Sequence, residues 1–240
     1  MATTKGDMKR RIRLGLGEVP GTPGWDDPLG LEECLLAATD HVARMADCYQ
    51  TWYSLDITGS SATPQAEQCM PHGDSGEIYK LKRVRVELTT TGDYREFRRG
   101  TDAPGSAIVN AAWMSRNVPE WTEKPAKGLS PDYIVLTGTG VLIYPLPTWT
   151  KSAGIRLYGF ATPGRIWDLP SGYTDPDQAV FPLPSYALAA VETYARILRC
   201  EQFASKENML RYNMMRPRFE EDLLPDVCQK AAQEYNRGNL

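Results

Sequence analysis

The chain has 240 residues, a net charge of −3 at pH 7, 42% hydrophobic residues and 24% charged residues. A chain of this length buries enough apolar surface to fold without a disulfide or a metal, and its acidic balance argues against a protein whose main task is to grip nucleic acid. Its 18 prolines and 20 glycines are more than a helix bundle tolerates, and no apolar run reaches the roughly 20 residues of a membrane span.

Residues 1–27 are predicted to form an extended N-terminal arm. The cluster Lys9–Arg13 is basic, and the run Pro20–Gly24 cannot continue a helix. The first residues are polar and lack the apolar segment of a secretory signal, which predicts a protein made in the cytosol that stays there or leaves inside a particle. The five cysteines have wide, irregular spacing and are expected to be reduced thiols.

A helix is predicted from Gly30 to Tyr53, where apolar residues recur at spacings of three, four and seven: Leu35, Val42, Met45 and Tyr49. Residues 58–77 are polar and are expected to form a loop. From Ile78 to Leu88 the pattern changes to strict alternation, with Val84 and Val86 between charged residues, which is typical of a half-buried strand.

Further strands are predicted between residues 94 and 160. Proline and glycine in 94–128 favour short strands and an irregular excursion. Two β-rich runs, Tyr133–Thr137 and Val141–Tyr144, flank a glycine-bearing turn and predict a hairpin. With Ile155–Phe160 as the next strand, the pattern indicates an antiparallel meander.

The last part of the chain is predicted to be helical. From Ser185 a helix is expected to run to about Arg216, with a stripe at helical spacing formed by Leu188, Val191, Tyr194, Ala195 and Leu198. The predicted fold class is α+β, with one domain over 28–216 in which helices 30–53 and 185–216 pack together beside an antiparallel sheet from 78–160.

Residues 217–240 are predicted to be a separate C-terminal docking segment. The segment follows a proline and carries an apolar side formed by Phe219, Leu223, Leu224 and Val227. So short an amphipathic piece must bury that side either on its own domain or in a groove of a neighbouring protein.

The sequence contains only weak signals for catalytic or metal-binding sites. His72 precedes Gly73-Asp74-Ser75-Gly76, which matches the nucleophile turn of chymotrypsin-like proteases, but Ser75 comes early in the chain and lacks a suitably placed histidine base. Cys34, His41 and Cys48 are spaced by seven residues, a rise of about 10.5 Å on a helix, so they cannot converge on one ion. The adjacent pairs Glu32-Glu33 and Glu220-Glu221 are expected to be solvated. No catalytic residue, cofactor or metal is therefore predicted.

Two groups of residues are candidates for interfaces. The basic clusters Lys80–Arg85 and Arg95–Arg99 are expected to be solvated strand faces or, through Arg83 and Arg85, ion pairs with a copy of the same chain; aromatic residues do not interleave with them as nucleic-acid stacking would require. Four tryptophans fall in proline-rich connections, which favours a partner surface, with core packing as the alternative for each: Trp113, Trp121, Trp149 and Trp167.

The stretch from Tyr133 to Cys200 carries an ordered string of features: a hairpin arm Leu142–Pro147, a strand with its exit Leu157–Pro163, an acidic, proline-rich linker leading to Phe181–Tyr186, and the alanine-rich helix Ala187–Arg199. This string resembles the head-to-tail adaptor family of tailed phages, also called head-completion or connector proteins. The chain departs from the family pattern in its basic arm, in the tryptophan-rich stretch 104–128 and at Gly159.

The resemblance implies a structural virion protein, made in the host cytoplasm and located in the neck, with no catalytic residue or cofactor. Its subunits would form a dodecameric ring that docks on the portal protein, helps to retain packaged DNA and carries the tail or a tail-terminator or nozzle protein. DNA would pass through the ring without sequence-specific binding. In related adaptors the C-terminal segment reaches toward the portal, which favours docking for residues 217–240. The alternatives are another neck or tail-tube component, or a small hydrolase that uses Ser75 or a loop carboxylate.

Overall fold

The computed structural model describes residues 2–21, 26–57, 68–70, 76–88, 93–100, 104–122, 127–128, 130–137, 140–165 and 167–237. The chain is an α+β protein that divides into two compact units. A helical unit is formed by Met1–Tyr49, His72–Glu77 and Ala161–Leu240, and a β unit by Gln50–Pro71 and Ile78–Phe160.

Five α-helices lie among the described residues of the helical unit. In chain order they are α1 (Lys5–Leu16), α2 (Pro28–Ala46), α4 (Leu188–Gln202), α5 (Lys206–Pro217) and α6 (Leu224–Arg237), while α3 (Ala111–Asn117) belongs to the β unit. A π-helical segment, Arg218–Leu223, joins α5 to α6. Helices α2 and α4 pack against each other, as predicted, around one apolar core.

Helix α1 shows that the prediction of an extended N-terminal arm was wrong. Its start is fixed by a capping box in which the Asp7 amide donates to the Thr4 hydroxyl at 3.2 Å and the Thr4 amide donates to the Asp7 carboxylate at 3.3 Å. Gly17 ends the helix in the left-handed conformation, with φ of 67°. One face of α1 is buried in the core through Met8, Ile12 and Leu16, so residues 5–16 are part of the folded unit.

Helix α2 begins and ends earlier than predicted. Asp27 caps it by accepting a hydrogen bond from the Gly30 amide at 3.0 Å, and Asp47, with φ of 49°, ends it. Residues 50–53, which were predicted to be helical, lie instead in the first strand. The predicted stripe is confirmed at Leu35 and Val42, which are fully buried.

The predicted helix 185–216 is two helices. The stripe on α4 is confirmed at Val191 and Ala195, both fully buried, but α4 ends at Gln202. Ser205 caps α5 by accepting a hydrogen bond from the Asn208 amide at 3.1 Å. The chain therefore changes direction near residue 203, because this cap starts a new helix.

The β unit contains ten strands among its described residues and their immediate continuations: β1 (Gln50–Ile57), β2 (Gln68–Cys69), β3 (Glu77–Glu87), β4 (Tyr94–Arg99), β5 (Ala107–Asn110), β6 (Lys127–Gly128), β7 (Tyr133–Leu136), β8 (Gly140–Tyr144), β9 (Leu146–Pro147) and β10 (Lys151–Thr162). Eight of them form a sheet in the order β1-β10-β3-β4-β5-β7-β8-β2, and β6 pairs with β9.

The sheet is mixed, so the prediction of an antiparallel meander was wrong. The β7–β8 hairpin is confirmed, with Tyr133 opposite Tyr144. Strand β5, however, runs parallel to both β4 and β7. Strand β10 does not follow β8 in the sheet; it lies between β1 and β3, where Ile155 and Leu157 are fully buried.

Helix α3 covers part of the sheet within the stretch predicted to be irregular. Asn110 caps it by accepting a hydrogen bond from the Trp113 amide at 2.8 Å. Met114 of α3 packs with Val109, Trp121 and Val135 in a small apolar cluster, so this helix closes one part of the β unit's core.

Candidate interaction surfaces

The structure brings together no catalytic or metal-binding set among the residues that it describes. Ser75 and His72 lie outside the described residues. The ring of His41 stacks on Tyr194, with centroids 4.2 Å apart. Burial raises the pKa of Cys34 to about 11 and that of Cys48 to about 12, which suits inert, packed thiols. No group of His, Cys, Asp and Glu in the described chain could hold a metal ion.

The paired carboxylates behave differently from one another. Glu32 is not simply solvated, because it accepts hydrogen bonds from Lys5 at 3.1 Å and Lys9 at 2.9 Å and so ties α1 to α2. Glu33 lies on the surface, 2.7 Å from Arg165. In the other pair, Glu220 lies 2.9 Å from Arg216 and is exposed. Lys5 and Lys9, both in the predicted arm, thus stabilise the packing of α1 on α2.

The four candidate portal-docking residues are packed into the helical unit itself. Phe219 is 2% exposed and Val227 is 1% exposed. The Phe219 ring stacks on Tyr194 at 4.8 Å, and Leu223 and Leu224 are partly buried against the same core. The prediction of a separate docking segment was therefore wrong: these apolar side chains fill the core of their own unit.

The four tryptophans divide into two groups. Trp121 is buried and donates its indole N–H to the Ser115 hydroxyl at 3.2 Å. Trp167 is buried in the helical unit, edge-on to Phe181 at 6.0 Å. Both side chains pack in the apolar core of their own unit, so their prediction as interface residues was wrong. Trp113 and Trp149 are half-buried.

Helix α5 carries an exposed apolar surface. Tyr212 and Met215 pack toward the core, whereas no residue of α5 is fully buried. On the outer side Met209, Leu210 and Met214 are exposed, Leu210 at 60% and Met214 at 76%. We call these three residues the α5 surface. Leu210 and Met214 are four residues apart and therefore neighbours on the helix.

A second surface lies on the sheet. Trp52 faces Tyr158 across β1 and β10, with ring centroids 4.8 Å apart. Arginines from β3 lie over these rings, Arg85 at 4.9 Å from the Trp52 centroid and Arg83 at 5.7 Å from that of Tyr158. With neighbouring side chains they form what we call the arginine face: Trp52, Arg83, Arg85, Arg98, Arg156 and Tyr158.

A cleft of about 560 Å³ lies in the helical unit between the end of α1 and the α4–α5 turn. The buried Arg199 at its edge lies 2.8 Å from Asp27 and 3.2 Å from Glu18, and it also binds Gln202 at 2.8 Å. Its hydrogen-bonding capacity is used within the chain. Arg199 therefore serves as the centre of an ion cluster at the edge of the cleft.

A comparison with models of known protein families finds none that matches this chain, and no curated protein matches it either. Within the part of the chain that the structure describes, none of the helices combines the length and the apolar character required to cross a bilayer.

Proposed function

We propose that this chain is a structural subunit of a tailed-phage virion, a head-to-tail adaptor that works as part of an oligomeric ring. Support comes first from the order of elements: hairpin β7–β8, the long strand β10, a proline-rich connection and then α4. This is the order of features in which the sequence resembles the adaptor family.

The observation that carries the proposal is the α5 surface. Monomeric proteins rarely expose grouped large apolar side chains, and such groups mark contacts with other proteins. Leu210 and Met214 are exposed one helical turn apart on a helix whose other side already packs on the core. Burying these side chains would yield roughly 25 cal/mol for each Å² of apolar surface removed from water.

The charges of α5 favour a second copy of the chain as the occupant. Arg211 pairs with Glu207 at 2.7 Å and Arg216 with Glu220 at 2.9 Å. Because Arg211 has its partner within α5 and Arg216 has its partner in the π-helical segment that follows, two α5 helices can approach without strong like-charge repulsion. The apolar side chains between the pairs then supply the contact.

In the proposed role, the ring docks on the portal protein, helps to retain the packaged DNA and presents a platform to the tail. Because Phe219 and Val227 are buried, the portal contact is assigned to surfaces of the assembled ring rather than to a free C-terminal segment. Trp113 and Trp149, which are half-buried, stay candidates for contacts with neighbouring subunits or with the tail.

Oligomeric state tests the proposal. We expect the purified protein, alone or mixed with purified portal protein, to form a species several-fold heavier than 26.8 kDa in native mass spectrometry. The double variant Leu210→Lys/Met214→Lys should remain monomeric with an unchanged melting temperature, because charges at exposed positions disturb the contact and not the core.

Met45→Lys is the matched control, since Met45 is an exposed methionine on α2 in the same unit. The control should assemble like the original protein. A protein that stays monomeric both alone and with portal protein would overturn the proposal. If the double variant assembles at the same protein concentration as the original protein, the α5 surface is not the contact between subunits. If the protein forms a ring that does not bind portal protein, the chain is another neck component.

A further inference from the structure

The arginine face combines four adjacent strands into one exposed, cationic and aromatic surface. Trp52 and Tyr158 are paired residues of β1 and β10, and Ser54 is paired with Arg156. On the neighbouring pair of strands, Arg83 is opposite Arg98. Since alternate residues of a strand share a face, these side chains lie on the same side of the sheet.

Positive charge on this face is only partly neutralised. Arg85 and Arg98 share Glu96, at 3.0 and 2.7 Å. By contrast, Arg83 and Arg156 have no carboxylate within ion-pair distance among the described residues, and each lies over an aromatic ring. The face is thus cationic in a chain whose acidic residues outnumber its basic ones, 30 to 27.

The geometry of these arginines suits phosphate groups. An arginine whose charge lies over an aromatic ring and has no carboxylate partner keeps its N–H groups available, and the planar guanidinium matches the oxygens of a phosphate. Arg83 lies over Tyr158 and Arg156 over Tyr94, with 4.6 Å between the guanidinium carbon of Arg156 and the ring centroid. Two such guanidinium groups on neighbouring strands could bind successive phosphates of one backbone.

The aromatic component points to unpaired bases. Trp52 is 40% exposed even though it contacts Tyr158 and Arg85, so part of its ring remains open. Bases of a single strand stack on such rings, whereas bases of a duplex are already stacked on each other. A broad sheet face also cannot enter a duplex groove as a helix or a two-stranded ribbon does.

We infer that the arginine face binds single-stranded nucleic acid, with Arg83 and Arg156 holding phosphates and Trp52 stacking on a base. This inference stands independently of the assembly role, because it uses only the β unit and none of the α5 surface. It adds a ligand class to a surface that the linear sequence indicated only as a solvated strand face or an ion-pair interface.

Fluorescence anisotropy of the full chain mixed with a fluorescein-labelled oligothymidylate tests the inference. An oligonucleotide of about 15 nucleotides is near the longest stretch that one small single-strand-binding domain covers. We expect saturable binding that weakens as salt is raised. Arg83→Gln/Arg156→Gln should weaken binding at least about tenfold and lower the slope of log affinity against log salt by roughly 1.4, the value for two phosphates of a single strand. Trp52→Ala should weaken it roughly fivefold to 100-fold, as expected for loss of one stacked base.

Arg10→Gln/Arg116→Gln is the matched control, because it removes two exposed arginines elsewhere with the same change in net charge. It should bind like the original protein, and thermal melting should show that all variants are folded. Absence of binding at low salt, or equal losses in the control, would overturn the inference. Equal affinity for a duplex of the same length with no effect of Trp52→Ala, or equal competition by polyglutamate, would also overturn it.

Discussion

The guanidinium of Arg199 lies 2.8 Å from the carboxylate of Asp27, although 172 residues separate the two in the chain. Asp27 also caps α2, so one carboxylate fixes the start of a helix and neutralises a cation on α4 that is 1% exposed. The backbone hydrogen bond from Gly30 and the hydrogen bond from Arg199 hold the pKa of Asp27 below its ordinary value. The ion pair therefore ties the start of α2 to the end of α4.

Replacing Asp27 with alanine should lower the free energy of unfolding, because the change removes the N-cap of α2 and leaves the buried guanidinium of Arg199 without this carboxylate. Urea denaturation followed by circular dichroism measures the change. Asp26→Ala, at an exposed neighbouring position, should alter stability by no more than about 0.5 kcal/mol. Equal effects of the two substitutions would contradict a structural role for the Asp27–Arg199 pair.

His41 should make the helical unit less stable as the pH falls below about 6.5. Burial lowers the pKa of His41 from 6.5, so the folded state favours the neutral ring that stacks on Tyr194. Stability is then fully present above pH 6.5 and is lost as the pH falls toward the lower folded pKa. Urea midpoints measured between pH 7.5 and 5 should decline in the original protein, and this decline should be smaller in His41→Phe. The same slope in both proteins would show that His41 is not its source.

Phe219 should contribute to the core and not to a docking site. Phe219→Ala removes a ring that stacks on Tyr194 and should cost about 3–5 kcal/mol of unfolding free energy. Tyr173→Ala, at a 55% exposed position of the same unit, is the control and should have little effect. Deleting residues 219–240 should give insoluble protein, because the deletion uncovers the core. A soluble deletion variant that melts like the full chain would contradict this packing.

Gly159 should resist substitution because β3 lies close to it. A Cβ atom at this position would lie 2.4 Å from the carbonyl oxygen of Lys80 and 3.0 Å from the Cα of Leu81. Both contacts are backbone atoms, so relief requires the strands to move apart. We expect Gly159→Ala to cost about 1–3 kcal/mol, the usual range for overpacking, as a lower melting temperature in calorimetry. An unchanged melting temperature would mean that the β3–β10 contact is looser than described.

Sequence patterns predicted those elements that bury one regular face. The stripes on α2 and α4 and the alternation at Val84 and Val86 were visible because a single burial direction imposes a period on the sequence. Helix α1 carried comparable signals, a Thr4–Asp7 capping box and Met8, Ile12 and Leu16 four residues apart. Its basic residues obscured them, since Lys9 acquires its partners Glu32 and Asp177 only through distant parts of the fold.

Long-range pairing could not be predicted in this way. Strand β10 pairs with β1 and β3 rather than with the hairpin strand β8 that precedes it in the chain, and no local sequence pattern distinguishes these pairings. The same limit hid the arginine face, because Trp52 and Tyr158 come between basic residues only after β1, β10 and β3 have assembled. The amphipathic character of residues 219–227 was visible in the sequence. The sequence did not show whether their apolar side packs on the core of the same chain or on a partner protein.

The helical unit is built from segments that precede and follow the β unit in the chain, and this order affects how the protein folds during synthesis. Helix α2 is synthesised well before α4, the helix against which its buried stripe packs. At about 5–20 residues per second, the 172 residues between Asp27 and Arg199 take roughly 10–30 seconds to make. During that interval Leu31, Leu35 and Val42 have no α4 to cover them, while the β unit emerges and can fold. The nascent chain thus passes through a stage in which α2 is an apolar helix that lacks the partner against which it packs in the finished fold.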